Sequence, residues 1–130
     1  MKIIILISML VLPIASQAAC VRADLTGVWR LYTVPMFNHA VARCTVIIPA
    51  TGTAIATNSV CTVPGVGNYP VTGNLSIDTY CQVSGTFNIP AASSNNNINA
   101  WISRGKDSIS GMSWFTGDPT NGSIFSGSRQ

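Results

Sequence analysis

The sequence predicts an all-β domain, an antiparallel up-and-down meander of about eight strands, on three observations. Two adjacent runs alternate apolar and polar residues with period two, the mark of strands with one dry and one wet face. No segment sustains a helical period. Clusters of Pro, Gly, Asn and Asp punctuate the chain at short intervals, as hairpin turns require.

The first residues set the context. Met1-Lys2 is followed by an apolar run from Ile3 to Ala15, broken by Ser8 and Pro13, and then by Ser16-Gln17-Ala18-Ala19. A basic start, a short apolar stretch and small residues at −3 and −1 describe a secretory signal peptide over residues 1–18, cleaved after 18 or 19. The apolar run is shorter than the ~20 residues a spanning helix needs, so no membrane span is expected. Lipidation at Cys20 would want a small or aliphatic residue three before it, where Gln17 stands. Residues 19–130 then form a single domain, large enough for one core. Without Lys2, six basic residues face four acids, a net charge of +2. These cations are scattered, whereas a nucleic-acid surface aligns several on one face.

The first strand, Thr26 to Val34, carries bulk on both sides: Gly27, Trp29, Leu31 and Thr33 on one, Val28, Arg30, Tyr32 and Val34 on the other. Pro35 to Ala40 reads as a loop and Val41 to Ile48 as the second strand. Pro49 to Gly52 turns the chain into a third strand, Thr53 to Val63, with a bulge at Thr57-Asn58-Ser59. Pro64 to Asn68 turns again. Val71, Gly73, Leu75 and Ile77 then alternate with Thr72, Asn74, Ser76 and Asp78; Cys81, Val83, Gly85, Phe87 and Ile89 alternate with Gln82, Ser84, Thr86 and Asn88. This pair is an antiparallel hairpin. Pro90 to Asn97 reads as a long, mobile polar loop. Ile98, Ala100 and Ile102 share a face, Arg104 to Asp107 turn, Ser108 to Phe115 return, and Gly117 to Gly122 lead into a last strand, Ser123 to Arg129.

Consecutive hairpins without long crossovers favour a closed barrel over a sandwich, and closure removes exposed strand edges. Cys20, Cys44, Cys61 and Cys81 are even in number, lack C-x-x-C spacing and belong to a chain bound for an oxidising compartment. Placing Cys44 and Cys61 near one end of the barrel and Cys20 and Cys81 near the other predicts the pairs Cys44 with Cys61 and Cys20 with Cys81. A symmetric turn at Pro49 to Gly52 would set Cys44 opposite Thr57, so the bulge must shift the register.

Leu25-Thr26-Gly27-Val28-Trp29 just after a cysteine, with Arg129 ending the last strand, resembles the calycin superfamily of lipocalins, fatty-acid-binding proteins and avidins. The resemblance covers about ten residues of the chain. It implies a barrel closed at one end by the first-strand tryptophan, Trp29, packed under a basic residue of the last strand, Arg129. An avidin's biotin-holding residues have no counterpart in Arg30 to Val34, so biotin binding is not implied. The residues alone allow a cation–π contact between Trp29 and Arg129, or equally a core tryptophan and a solvated arginine.

Chemistry-bearing residues are sparse. The chain has no glutamate, and three of its four acids, Asp78, Asp107 and Asp118, fall in turns where aspartate caps backbone. Acid–base work at a sugar bond needs two acids in one cleft. His39, the single histidine, reads as a solvated loop residue, and neither a metal ligand set nor a cofactor site is indicated. Ser103-Arg104-Gly105-Lys106 has the letters Ser-x-x-Lys but spans a turn. Asn74-Leu75-Ser76 and Asn121-Gly122-Ser123 are glycosylation sequons on a eukaryotic secretory route.

These readings lead to a secreted or periplasmic, non-enzymatic binding protein. It takes either a small apolar ligand, in a cavity of a few hundred Å³ lined by Trp29, Leu31, Val83, Phe87 and Phe125, or a protein or carbohydrate partner on a surface carrying Trp101 and Trp114. The alternatives are a structural or interaction protein with a filled interior, and an inhibitor of a secreted hydrolase.

Overall fold

A computed structural model describes residues 19–35 and 41–130; residues 1–18, expected as a signal peptide, and residues 36–40, expected as a loop with His39, lie outside the described residues. Among the described residues there are nine antiparallel strands: β1 (Gly27–Pro35), β2 (Ala42–Ile48), β3 (Val60–Val63), β4 (Gly67–Pro70), β5 (Thr72–Ile77), β6 (Gln82–Ile89), β7 (Ser94–Ile102), β8 (Ser108–Phe115) and β9 (Asp118–Arg129). They form one sheet in the order β4-β3-β2-β1-β9-β8-β7-β6-β5. The meander therefore rolls up until its first and last strands are neighbours, with Trp29 opposite Arg129 and Thr33 opposite Phe125.

The remaining seam, between β4 and β5, is sewn by the chain after β2. Leu75 N–H donates to Thr53 O (2.8 Å), Ile55 N–H to Gly73 O (2.9 Å) and Val71 N–H to Ser59 O (3.0 Å). The sheet is a nearly closed barrel. Ser59 is the one buried polar side chain among the described residues, and its hydroxyl accepts Ile47 N–H at 2.9 Å. A backbone donor that the interrupted ladder leaves over is thereby satisfied.

Inward residues follow the period-two pattern. Trp29 and Leu31 of β1, Cys44, Val46 and Ile48 of β2, Leu75, Val83 and Phe87 of the hairpin, Ile98, Ala100 and Ile102 of β7, Ile109 of β8 and Phe125 of β9 are all buried. Gly73 and Gly85 stand inward at φ +148° and +143°, where a Cβ would collide with the carbonyl oxygens of Thr86 and Asn74. Both glycines let the two strands of the hairpin close on each other around the bend.

The disulfides join Cys20 to Cys81 and Cys44 to Cys61, the pairing expected from the ends of the barrel. Cys44 and Cys61 are direct cross-strand partners. Their register differs from that of a symmetric hairpin because the expected third strand, Thr53 to Val63, is divided. Its first half crosses to bond β5, and only Val60–Val63 pairs with β2.

Other elements also depart from expectation. Residues 64–66 turn tightly enough for Gly67–Pro70 to add β4, with Val63 opposite Gly67. The asparagine-rich stretch expected as a mobile loop is instead a 3₁₀ turn at Pro90–Ala92 followed by the start of β7. Asn96 holds it there, its amide donating to Phe87 O (3.0 Å) and Ser94 Oγ (2.7 Å). β9 begins at Asp118, inside the expected turn, through an irregularity beside Trp114 and Phe115. A single helical turn, α1 (Arg22–Leu25), precedes β1 where no helix was expected. Asp24 closes it by accepting Val21 N–H at 2.8 Å.

Candidate functional site

One end of the barrel is sealed. Leu25 of α1 is fully buried over Trp29, whose indole N–H donates to Leu25 O at 2.7 Å. The Arg129 guanidinium lies 5.7 Å from the centre of the Trp29 ring. The same guanidinium donates to Asp24 O (3.4 Å) and Thr26 O (3.3 Å), carbonyls at the end of α1, and to Lys106 O (2.6 Å) in the β7–β8 turn. Lys106 Nζ pairs with Asp24 at 2.8 Å, and its hydrogen bond, with that from Val21 N–H, holds the Asp24 carboxyl below the usual carboxylate range. The Cys20–Cys81 disulfide ties this plug to the start of β6.

The interior is filled. Trp29, Leu31, Val83, Phe87 and Phe125 come together as the sequence places them, but they line voids of only about 20 and 30 Å³. That is room for about one water molecule apiece, against the ~300–1,000 Å³ of ligand pockets.

The opposite end forms a concave mouth of about 350 Å³. Phe87, Val63, Ile89 and the Cys44–Cys61 disulfide line it together with polar residues such as Asn96, Ser113 and Ser123. The chain leaves β1 and re-enters β2 at this end.

On the outer wall, two adjoining clefts of about 400 and 340 Å³ run over β1, β9, β8 and β7. Strand register explains them. Tyr32 on β1 stands opposite Ser126, Ser126 opposite Ser110, and Ser110 opposite Trp101 on β7. Two small residues thus lie between two large ones in a single row across the sheet. Tyr32 and Trp101 are 53% and 50% exposed. The next row, Val34, Ile124 and Met112, adds three exposed apolar side chains. Trp101 stands outside the barrel as the alternation requires; Trp114, also on the outer face, is half-buried and lines neither cleft. Sequence reasoning selected the tryptophans and missed Tyr32 and the serines, although the alternation of β1 already placed Tyr32 opposite Trp29 and Leu31.

The acids are occupied in local structure. Asp78 accepts the N–H groups of Tyr80 and Gln82 (2.9 Å each), and Asp118 accepts the Thr120 hydroxyl (2.7 Å). Asp107 accepts the Ser103 hydroxyl (2.9 Å), which holds its carboxyl below the usual range. Ser103 and Lys106 are therefore each engaged with a different aspartate. Among the described residues, no three His, Cys, Asp or Glu side chains group as a metal site, and no helix is long and apolar enough to cross a membrane. No family model, curated protein or solved structure matches the chain.

Proposed function

We propose that this is an exported, non-enzymatic binding barrel that engages its partner through the outer face of β1, β9, β8 and β7. One contrast carries the reading: Trp29, Leu31, Val83, Phe87 and Phe125 enclose voids of only 20–30 Å³, while a cleft of about 400 Å³ lies outside, between half-exposed aromatics. Exposed aromatics in a shaped, polar-floored cleft mark recognition surfaces, since they supply contact area at little cost in side-chain entropy. The signal-peptide pattern and the two disulfides support secretion or a periplasmic location. The Trp29–Arg129 closure and the adjacency of β1 and β9 support calycin-like ancestry.

The test is affinity capture from the extracellular or periplasmic fraction with the immobilised protein and with its W101S/W114S variant. Partners retained by the parent are lost from the variant; an unchanged capture profile overturns the outer-face reading.

A second reading has an observation of its own. The 350 Å³ mouth, lined in part by Phe87 and the Cys44–Cys61 disulfide, suits a small apolar ligand seated above the packed core. Saturable uptake of an apolar fluorophore, lost in F87A and kept in W101S/W114S, would favour it.

A further inference from the structure

The cleft between Tyr32 and Trp101 is floored by four serine hydroxyls, three of which the fold does not use. Ser108 faces Ser128 and Ser110 faces Ser126 across the β8–β9 pair, and all four point outward. The Ser108 hydroxyl meets the Asp107 carboxylate; the side chains of Ser110, Ser126 and Ser128 have no hydrogen-bond partner among the described residues. Each hydroxyl can both donate and accept. Two rings flank this square from the neighbouring strands, three strand spacings apart, or about 14 Å.

Charge is missing from the floor. The outward residues of β7, β8 and β9 from Asn95 to Trp101, Ser108 to Trp114 and Ile124 to Ser128 are amide, hydroxyl, aromatic or aliphatic. The nearest charged groups lie at the border: Arg30, opposite Ser128 on β1, Arg43, opposite Tyr32 on β2, and Asp107 and Arg104 in the β7–β8 turn. They differ in sign, and Asp107 is bonded to Ser103. An anionic ligand would call for convergent arginines, and a flat protein surface would not fill a cleft walled by two rings.

From this arrangement we infer that the outer cleft binds a neutral saccharide chain lying across β1, β9, β8 and β7, stacked on Tyr32 at one end and Trp101 at the other and hydrogen-bonded to Ser110 and Ser126 between them, with Ser108 and Ser128 alongside. Sugar rings present apolar C–H faces and equatorial hydroxyls, which match aromatic walls and a hydroxyl floor. Val34, Ile124 and Met112 form the apolar row beside it. The inference rests on the outer-face reading and names the ligand class.

The experiment is isothermal titration with chitotetraose, cellotetraose and maltotetraose as neutral probes and tetragalacturonate as the acidic contrast, with the Trp101 indole N–H followed by NMR. At least one neutral probe binds saturably and shifts that resonance, while tetragalacturonate binds more weakly. W101A and Y32A each weaken binding by about tenfold or more. S110V/S126V, which keeps strand-forming residues and fills the floor, does the same while retaining the parent's circular dichroism. The inference is overturned if no neutral probe binds at millimolar concentration, if binding survives W101A and S110V/S126V, or if sedimentation shows the cleft closed by a second copy. Failure of all three sugars alongside loss of partner capture in W101S/W114S removes the saccharide and leaves the outer-face reading; unchanged capture removes both.

Discussion

Trp29 and Tyr32 stand three residues apart on β1 and meet opposite environments. Trp29 is 1% exposed, capped by Leu25 and Arg129, with its one donor satisfied inside the fold. Tyr32 is half exposed beside a row of unbonded serine hydroxyls. The same division runs around the arc: Ile98 and Ala100 against Trp101 on β7, Ile109 against Ser110 on β8, Phe125 against Ser126 on β9. The inner face spends its aromatic and aliphatic surface on stability, and the outer face keeps its own available. In a barrel this small, filling the interior moves recognition to the wall or the mouth.

The contrast breaks most visibly from the inside. W29A removes the largest buried side chain and the platform under Arg129, and should cost about 3–5 kcal/mol in chemical denaturation; a loss below about 1 kcal/mol would mean the plug is not seated as described. C44S/C61S opens a loop spanning 17 residues of separation and should cost about 3 kcal/mol, read the same way.

Asp24 offers a smaller and pH-dependent effect. Folding lowers its pKa, so the ionised form stabilises the fold above the unfolded value near 3.9. That contribution is lost as pH falls through the lower folded value. D24N should therefore cost about 1 kcal/mol near neutrality. The difference from the parent should shrink progressively below about pH 4; a pH-independent difference would assign the effect to something other than the Lys106 pair and the Val21 cap. Smallest in stability should be W101S, within about 0.5 kcal/mol of the parent for an exposed position. Its effect appears in partner capture instead.

The alternation of β5 to β9 made the inner face legible, because period two in strands with one dry face fixes which residues meet inside. Both disulfides were legible from the ends at which their strands lie. The strand boundaries between Pro49 and Pro70 were not, because Thr53 to Ile55 bond β5 rather than β2, and a local pattern carries no record of a distant partner. Asn95 to Asn97 read as loop because polar composition masks a strand whose bonds are set by Asn88 and Phe87 across the hairpin. The cleft stayed hidden for a similar reason. Ser108, Ser110, Ser126 and Ser128 are unremarkable along the chain and become a floor only when register sets them between Tyr32 and Trp101.

The three indole N–H resonances give the most direct test, since Trp29 reports the core, Trp101 the cleft and Trp114 the neighbouring wall. In the presence of a soluble paramagnetic agent, Trp101 should be broadened and Trp29 spared; adding the material that the immobilised protein retains should then protect Trp101 and leave Trp29 where it was. A Trp29 resonance that moves on binding while Trp101 stays broadened would place recognition inside the barrel and contradict the account.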